Sequence, residues 1–276
     1  MKKSIKIIIT MLVIIISLTG CSLGNTVKGI FKREEGYFDY LKSGNVEKIS
    51  IQSVRDKSFK ILVTDEKAIL NMYNLLSKSK VSETKSELDP DYIFQIQVGD
   101  EIQEFNYVVG KYDGNFYNDE KSFTVSKRLD ESIIQNLSII RKPRDFEYIY
   151  YNTILEVMNK EESTLSGKKV GIDIIEDIDC LKYIFSTDIE DFLKKAKKIT
   201  PDVSLVDGTN SNEYDVVITI KNRGHDTTIY KSNITVENKV DKKISYYYIV
   251  GEYEFKEWDI NVYLEGDVPK DVEKNW

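Results

Sequence analysis

An α+β fold of two similar units, each an antiparallel sheet with one or two packed helices, is predicted by three features of this 276-residue chain. Apolar residues alternate with period two over most of the strand-like segments. Each half runs from strands through a helix and a polar loop into a further strand and its return. Residues of the second pass follow those of the first at a nearly constant distance.

In the first unit, Val46, Ile49 and Ile51 predict a strand, and Phe59, Ile61 and Val63 a second. Thr64-Asp65-Glu66-Lys67 supplies an N-cap oxygen and an acid for a first turn, so a helix follows with Ile69, Leu70, Tyr73 and Leu76 inward. A polar loop with Asp89-Pro90-Asp91 opens the strand Tyr92, Phe94, Ile96, Val98. Gly99-Asp100 turns it back into Ile102 to Val109. Asp113-Gly114-Asn115 reads as a loop before Phe123 and Val125. A helix from Leu129 to Ile140 leads to a boundary at Pro143.

The second unit repeats the order. Asp145 to Met158 reads as a helix, Val170, Ile172 and Ile174 as a strand, and Leu181, Tyr183 and Phe185 as another. Thr187-Asp188 caps a helix carrying Phe192, Leu193, Ala196 and Ile199. Asp207 to Asn210 leads into Tyr214, Val216, Ile218 and Ile220. Asn222-Arg223-Gly224 reads as a hairpin turn, Thr228 to Val236 as the return, and Ile244 to Phe255 and Trp258 to Leu264 as the last strands. Phe59/Leu181, Ile61/Tyr183, Val63/Phe185 and Tyr92/Tyr214 all lie 122 positions apart. That spacing predicts a diverged tandem duplication; the alternative is two unrelated α+β units. The predicted layout is 1–20 leader, 21–44 tether with a short helix near Arg33–Leu41, 45–142 first unit and 143–276 second unit.

The leader is the most specific feature. Lys2, Lys3 and Lys6 precede an apolar run from Ile7 to Ile16, too short for the roughly 20 residues of a membrane span. Leu18-Thr19-Gly20-Cys21 then resembles the bacterial lipobox, in which the chain is cut between Gly20 and Cys21 and the Cys21 thiol carries a diacylglycerol. The resemblance implies an extracytoplasmic protein held to the membrane through its N-terminal lipid, since two acyl chains anchor where one exchanges. Loss of Lys2, Lys3 and Lys6 takes the formal charge from −7 to −10, so anionic lipid would repel the protein surface. With Cys21 acylated, Cys180 has no partner for an internal disulfide and reads as a small buried hydrophobe.

The first unit also resembles the YhfM-like lipoprotein domain of Bacillus and related Gram-positive bacteria. The likeness rests on the helix with Ile69 and Leu76, on Asp89-Pro90-Asp91-Tyr92 opening a strand, and on Phe123-Thr124-Val125-Ser126 before a helix. It implies a small exported domain and carries over no catalytic residue.

Charged residues at 31% and hydrophobic ones at 41% exclude a disordered chain, and the acidic balance excludes a nucleic-acid binder. No phosphate loop, dinucleotide fingerprint, nucleophile elbow, HExxH or paired CxxC occurs. No cofactor, metal site or catalytic residue is therefore assigned. The single histidine, His225, reads as an exposed turn residue, since Asp226 beside it on a strand would point to the other face. Asp113, Asn115, Asn118, Asp119 and Glu120 are oxygen-rich but lack calcium-loop spacing, as do Asp207, Thr209, Asn210, Asn212 and Glu213. Eighteen tyrosines are the one compositional excess, and Tyr246, Tyr248, Tyr253 and Trp258 are the candidate binding residues of an aromatic platform. The resulting expectation is a non-enzymatic binding or interaction module with a membrane or cell-wall partner. The alternatives are a cell-wall-directed hydrolase using carboxylates and a solute-binding protein of a transporter.

Overall fold

The computed structural model describes residues 36–42, 44–135, 142–208, 210–274 and 276. The leader, the Gly20–Cys21 cut and most of the 21–44 tether lie outside them. The fold is α+β, with two sheets and helices packed on each.

The first unit holds β1 (Val46–Ser53), β2 (Lys60–Val63), α1 (Glu66–Leu76), β3 (Lys80–Ser82), β4 (Tyr92–Val98), β5 (Glu101–Val108), β6 (Asp113–Tyr117), β7 (Ser122–Ser126) and α2 (Arg128–Gln135). Its sheet has the order β2-β1-β4-β5-β6-β7-β3, antiparallel throughout. Asp65 caps α1 by accepting from Ala68 N at 2.9 Å. A 3₁₀ turn at Asp39–Lys42 and α1 and α2 bury Leu41, Ile69, Met72, Leu76, Leu129 and Ile133 against a sheet face rich in phenylalanine. Phe105 and Phe116 stack there at 4.7 Å, and Phe94 meets Phe116 edge-on at 5.1 Å.

Several expectations change in this unit. The helix expected near Arg33–Leu41 is, among the described residues, the short 3₁₀ turn at Asp39–Lys42. Leu70 is exposed and Met72 takes its place, because 69, 72 and 76 share one helical face whereas 70 is turned away by a full residue step. Asp113-Gly114-Asn115 is not a loop but the start of β6. Gly114 crosses the Tyr107 ring so closely that an added Cβ would sit 2.4 Å from it, so the strand passes there only as glycine. The helix expected to reach Ile140 is seen to Gln135, and residues 136–141 lie outside the described residues.

The second unit holds α3 (Phe146–Lys160), α4 (Glu162–Leu165), β8 (Val170–Asp173), α5 (Ser186–Ala196), β9 (Val203–Leu205), β10 (Val216–His225), β11 (Ile229–Asn238), β12 (Lys243–Glu254), β13 (Glu257–Leu264) and α6 (Lys270–Lys274). Its order is β13-β12-β11-β10-β8-β9. The four long strands pair antiparallel, and β8 and β9 extend the sheet in parallel, with α5 as the crossover between them. α3 is buried on most of its circumference, from Phe146 to Met158. It crosses β12 at Gly251, where a Cβ would meet Ile149 at 2.6 Å.

Here too the structure corrects the sequence reading. Leu181, Tyr183 and Phe185 do not form a strand; Leu181–Tyr183 is a 3₁₀ turn. Residues 180, 181, 183, 184 and 185 are all buried, because the segment divides its apolar side chains between two cores rather than alternating over one sheet. Tyr183 packs on Phe146 at 5.3 Å, whereas Phe185 enters the first unit's core beside Tyr92 at 6.3 Å. Asn222-Arg223-Gly224 lies inside β10 at a bulge, not at a turn. The turn falls at Asp226–Thr228, where the Asp226 carboxylate accepts from Thr228 N at 2.7 Å and Ile229 N at 2.8 Å.

Candidate functional site

The two units meet around one buried carboxylate. Asp91, at the entrance of β4, accepts from Arg55 Nη1 at 2.6 Å and Val109 N at 2.8 Å. It also accepts from Ser186 N of α5 at 2.8 Å. Phe185 at the head of α5 has no side-chain acceptor to offer, so the first unit's Asp91 supplies the negative group that helix's N-terminus requires. Ser186 Oγ donates to Asp89 O at 2.7 Å and Thr187 Oγ1 to Val109 O at 3.0 Å. Burial pushes Asp91 above the usual carboxylate range against the pull of Arg55.

Beside this junction lies a cleft of about 270 Å³ with walls from both units. Lys111 and Lys127 stand on the first unit's side; Glu147, Asp188 and Asp191 come from α3 and α5. Phe192 and Tyr151 form its aromatic floor, their rings stacked at 4.9 Å. Tyr151 is 5% exposed, and its hydroxyl has no hydrogen-bond partner among the described residues. Burial pushes that phenol well up, with Asp188 the strongest charge acting on it. Burial, then Glu147, push Asp188 up to about 6. Lys142 lies within 6 Å of three ring centres: Phe146 at 5.6 Å, Tyr183 at 5.8 Å and Phe185 at 5.7 Å.

The aromatic residues singled out from the sequence do not share one surface. Tyr253 and Trp258 face the core side of the second sheet, edge-on at 5.3 Å, with the Arg144 guanidinium 5.3 Å over Tyr253. Trp258 is 8% exposed and donates through Nε1 to Arg144 O at 2.8 Å. Tyr246 and Tyr248 point to the opposite face, since the buried residues of β12 are the odd-numbered Tyr247, Ile249 and Gly251. Trp276 packs edge-on against Tyr248 at 5.0 Å, leaving Tyr246 the most open of the four. The platform thus divides between the two faces of the sheet.

His225 is neither in a turn nor fully exposed: it ends β10, half-buried against Tyr183, with Nδ1 3.1 Å from Asn222 Oδ1. Burial, then Lys182, lower its pKa. Cys180 is buried, and burial and the neighbouring Asp177 push its thiol up. The oxygen-rich loops spend side chains on their own backbone: Asn118 Oδ1 accepts from Glu120 N and Lys121 N, and Asn210 Oδ1 from Asp207 N. Among the described residues no group of three or more His, Cys, Asp or Glu is placed to hold a metal ion. No described helix is long and apolar enough to cross a membrane.

Fold and cleft define a class: a two-unit α+β protein whose concave site is built by both units. Residues 42–143 match the model of the family described as YhfM protein, so a YhfM-like domain occupies the first sheet and its following helix. Neither the curated proteins nor the solved structures contain a match to the chain.

The cleft escaped the sequence reading because its parts are spread from Val109 to Lys195. One signal was present: the apolar run from Leu181 to Phe185 has no place on a single two-faced sheet, and it marks the segment that bridges the two units.

Proposed function

We propose that this chain is an exported lipoprotein, held to the membrane through Cys21, that works as a non-enzymatic binding module with the inter-unit cleft as its site. The leader pattern Leu18-Thr19-Gly20-Cys21 supports the export and anchoring. One observation carries the binding role: a concave site lined by both units, with the stacked Tyr151 and Phe192 rings on its floor and charged side chains of both signs on its walls. The diverged duplication suggested by the 122-residue spacing is part of this proposal, with the cleft formed where the two copies meet.

Photo-crosslinkers at Tyr148, exposed at the cleft, and at Tyr246, exposed on the outer sheet face, test the site in intact cells. Capture of a specific membrane or cell-wall component from position 148 and not from 246 is expected. Capture from 246 alone would move the function to the aromatic face. Cys21→Ala is expected to release the protein or leave its leader uncut, and a processed, membrane-retained product would refute the anchor.

A second reading is favoured by Glu147 and Asp188 sharing the cleft, with Asp188 raised to about 6 as a general acid would be. It is a cell-wall-directed hydrolase, and release of wall fragments abolished by Asp188→Asn would establish it.

A further inference from the structure

Charges of both signs line the inter-unit cleft, and most of them have no ion-pair partner among the described residues. Among the described residues, Lys111, Lys127 and Lys195 make no ion pair, and neither do Glu147 and Asp188, although all five line the same 270 Å³. Two of the cations come from the first unit and both of those acids from the second, while Lys195 stands on α5 with Asp188. Unpaired charges of both signs lining one cleft, with an aromatic floor, complement a molecule that carries both charges itself. The volume lies just below the roughly 300–1,000 Å³ of ligand pockets, which limits the occupant to a few heavy-atom groups. Lys142 is engaged by its three rings, which leaves Lys111 and Lys127 as the first unit's contribution to an anion. The stacked Tyr151 and Phe192 rings on the floor offer an apolar surface to the rest of such a molecule.

Resting on the binding role proposed above, we propose that the cleft takes a small zwitterion, an amino acid or a dipeptide with both ends free. Its carboxylate lies toward Lys111 and Lys127, its ammonium toward Glu147 and Asp188, and its apolar part on Tyr151 and Phe192. Bridging the units in this way, the ligand also tightens the junction at Asp91.

The test is calorimetric titration of the full chain in detergent with the twenty standard amino acids and L-alanyl-L-alanine. The N-acetyl and C-amide forms of whichever probe binds are titrated next. Binding by at least one free probe is expected, with each capped form at least tenfold weaker. Lys127→Ala is expected to weaken the free probe and leave the amide unchanged, and Glu147→Gln to weaken the free probe and leave the N-acetyl form unchanged. Both positions are exposed, so folding is not at stake. Equal binding of capped and free forms, or none by any probe at 10 mM, overturns the zwitterion. In either case, specific capture from position 148 would leave the binding module standing, whereas loss of that capture as well removes both readings.

Discussion

Each unit holds one carboxylate that is almost fully buried, Asp91 at 2% exposed and Asp177 at 1%, and the two are treated in opposite ways. Asp91 in the first unit is met by the Arg55 guanidinium and by two backbone N–H groups, one of them from the second unit. Asp177, beyond the end of β8 in the second, accepts from Asn222 N at 2.9 Å and has no ion pair among the described residues. Its surroundings are Cys180, Tyr150 and Asp179, none of them cationic, and burial pushes it up to about 6. One acid is spent on joining the units; the other is kept in a state that ionises at a cost.

The largest effect should follow from Asp91→Ala. It removes the carboxylate paired with Arg55, which keeps only the neutral acceptors Ser186 Oγ and Ile184 O, and leaves the Val109 and Ser186 N–H groups without their acceptor. Breaking a buried pair in this way costs about 3–5 kcal/mol. Urea unfolding followed by tryptophan fluorescence would measure it, because Trp258 and Trp276 both lie in the second unit and report a loss that begins in the first. A loss below about 1 kcal/mol would mean that Phe185 and the Ser186 and Thr187 hydroxyl contacts hold the junction without Asp91, and that Asp91 resembles Asp177 after all.

Asp177 gives a smaller effect whose size depends on pH. An acid whose pKa rises on folding keeps its proton longer in the native chain, so folded protein binds more protons between about pH 4 and 6 and stability falls as pH rises through that window. Raising the carboxyl from its ordinary range to about 6 corresponds to a loss of about 2–3 kcal/mol at most. Asp188, also raised to about 6, adds in the same direction, and His225, lowered by burial, acts against it just below pH 6.5. Comparing the chain with Asp177→Asn cancels the other two groups. The variant is expected to be more stable by about 2 kcal/mol at pH 7.5 and equal at pH 4. A difference that does not change with pH would show that Asp177 is not the unpaired acid of the pair.

Much of the architecture was legible because it follows from local pattern. β4 and β5 with their Gly99-Asp100 turn, the capped start of α1, and the long strands β11 to β13 all announce themselves in alternation or turn chemistry. The failures share a physical cause. Leu181 to Phe185 is apolar for two different cores, and the 113–115 segment is polar yet paired because a glycine lets it cross Tyr107. The cleft itself was not legible, although the Leu181–Phe185 segment marks where the units join. Its lysines and acids look like an ordinary solvated face until the fold sets the first unit's cations opposite α3 and α5. Tyr151 is one tyrosine among eighteen until the fold stacks it on Phe192 at the floor of the cleft.

The smallest effect sharpens the comparison from the other side. α1 and α5 have the same length, but α1 is capped by Asp65, its own preceding residue, and α5 by Asp91, 95 residues away in sequence. A local cap removed from an exposed helix start costs about 1 kcal/mol, and Ile69, Met72 and Leu76 still hold α1 to the sheet without it. Asp65→Ala should therefore lower the urea midpoint slightly and leave the affinity of the cleft for any ligand untouched. Asp91→Ala should lower both, because its cap is also the hinge between the walls of the site. Measured together, the two variants separate helix capping as such from capping across units. Equal effects of Asp65→Ala and Asp91→Ala on stability, or any effect of Asp65→Ala on the cleft, would erase the distinction.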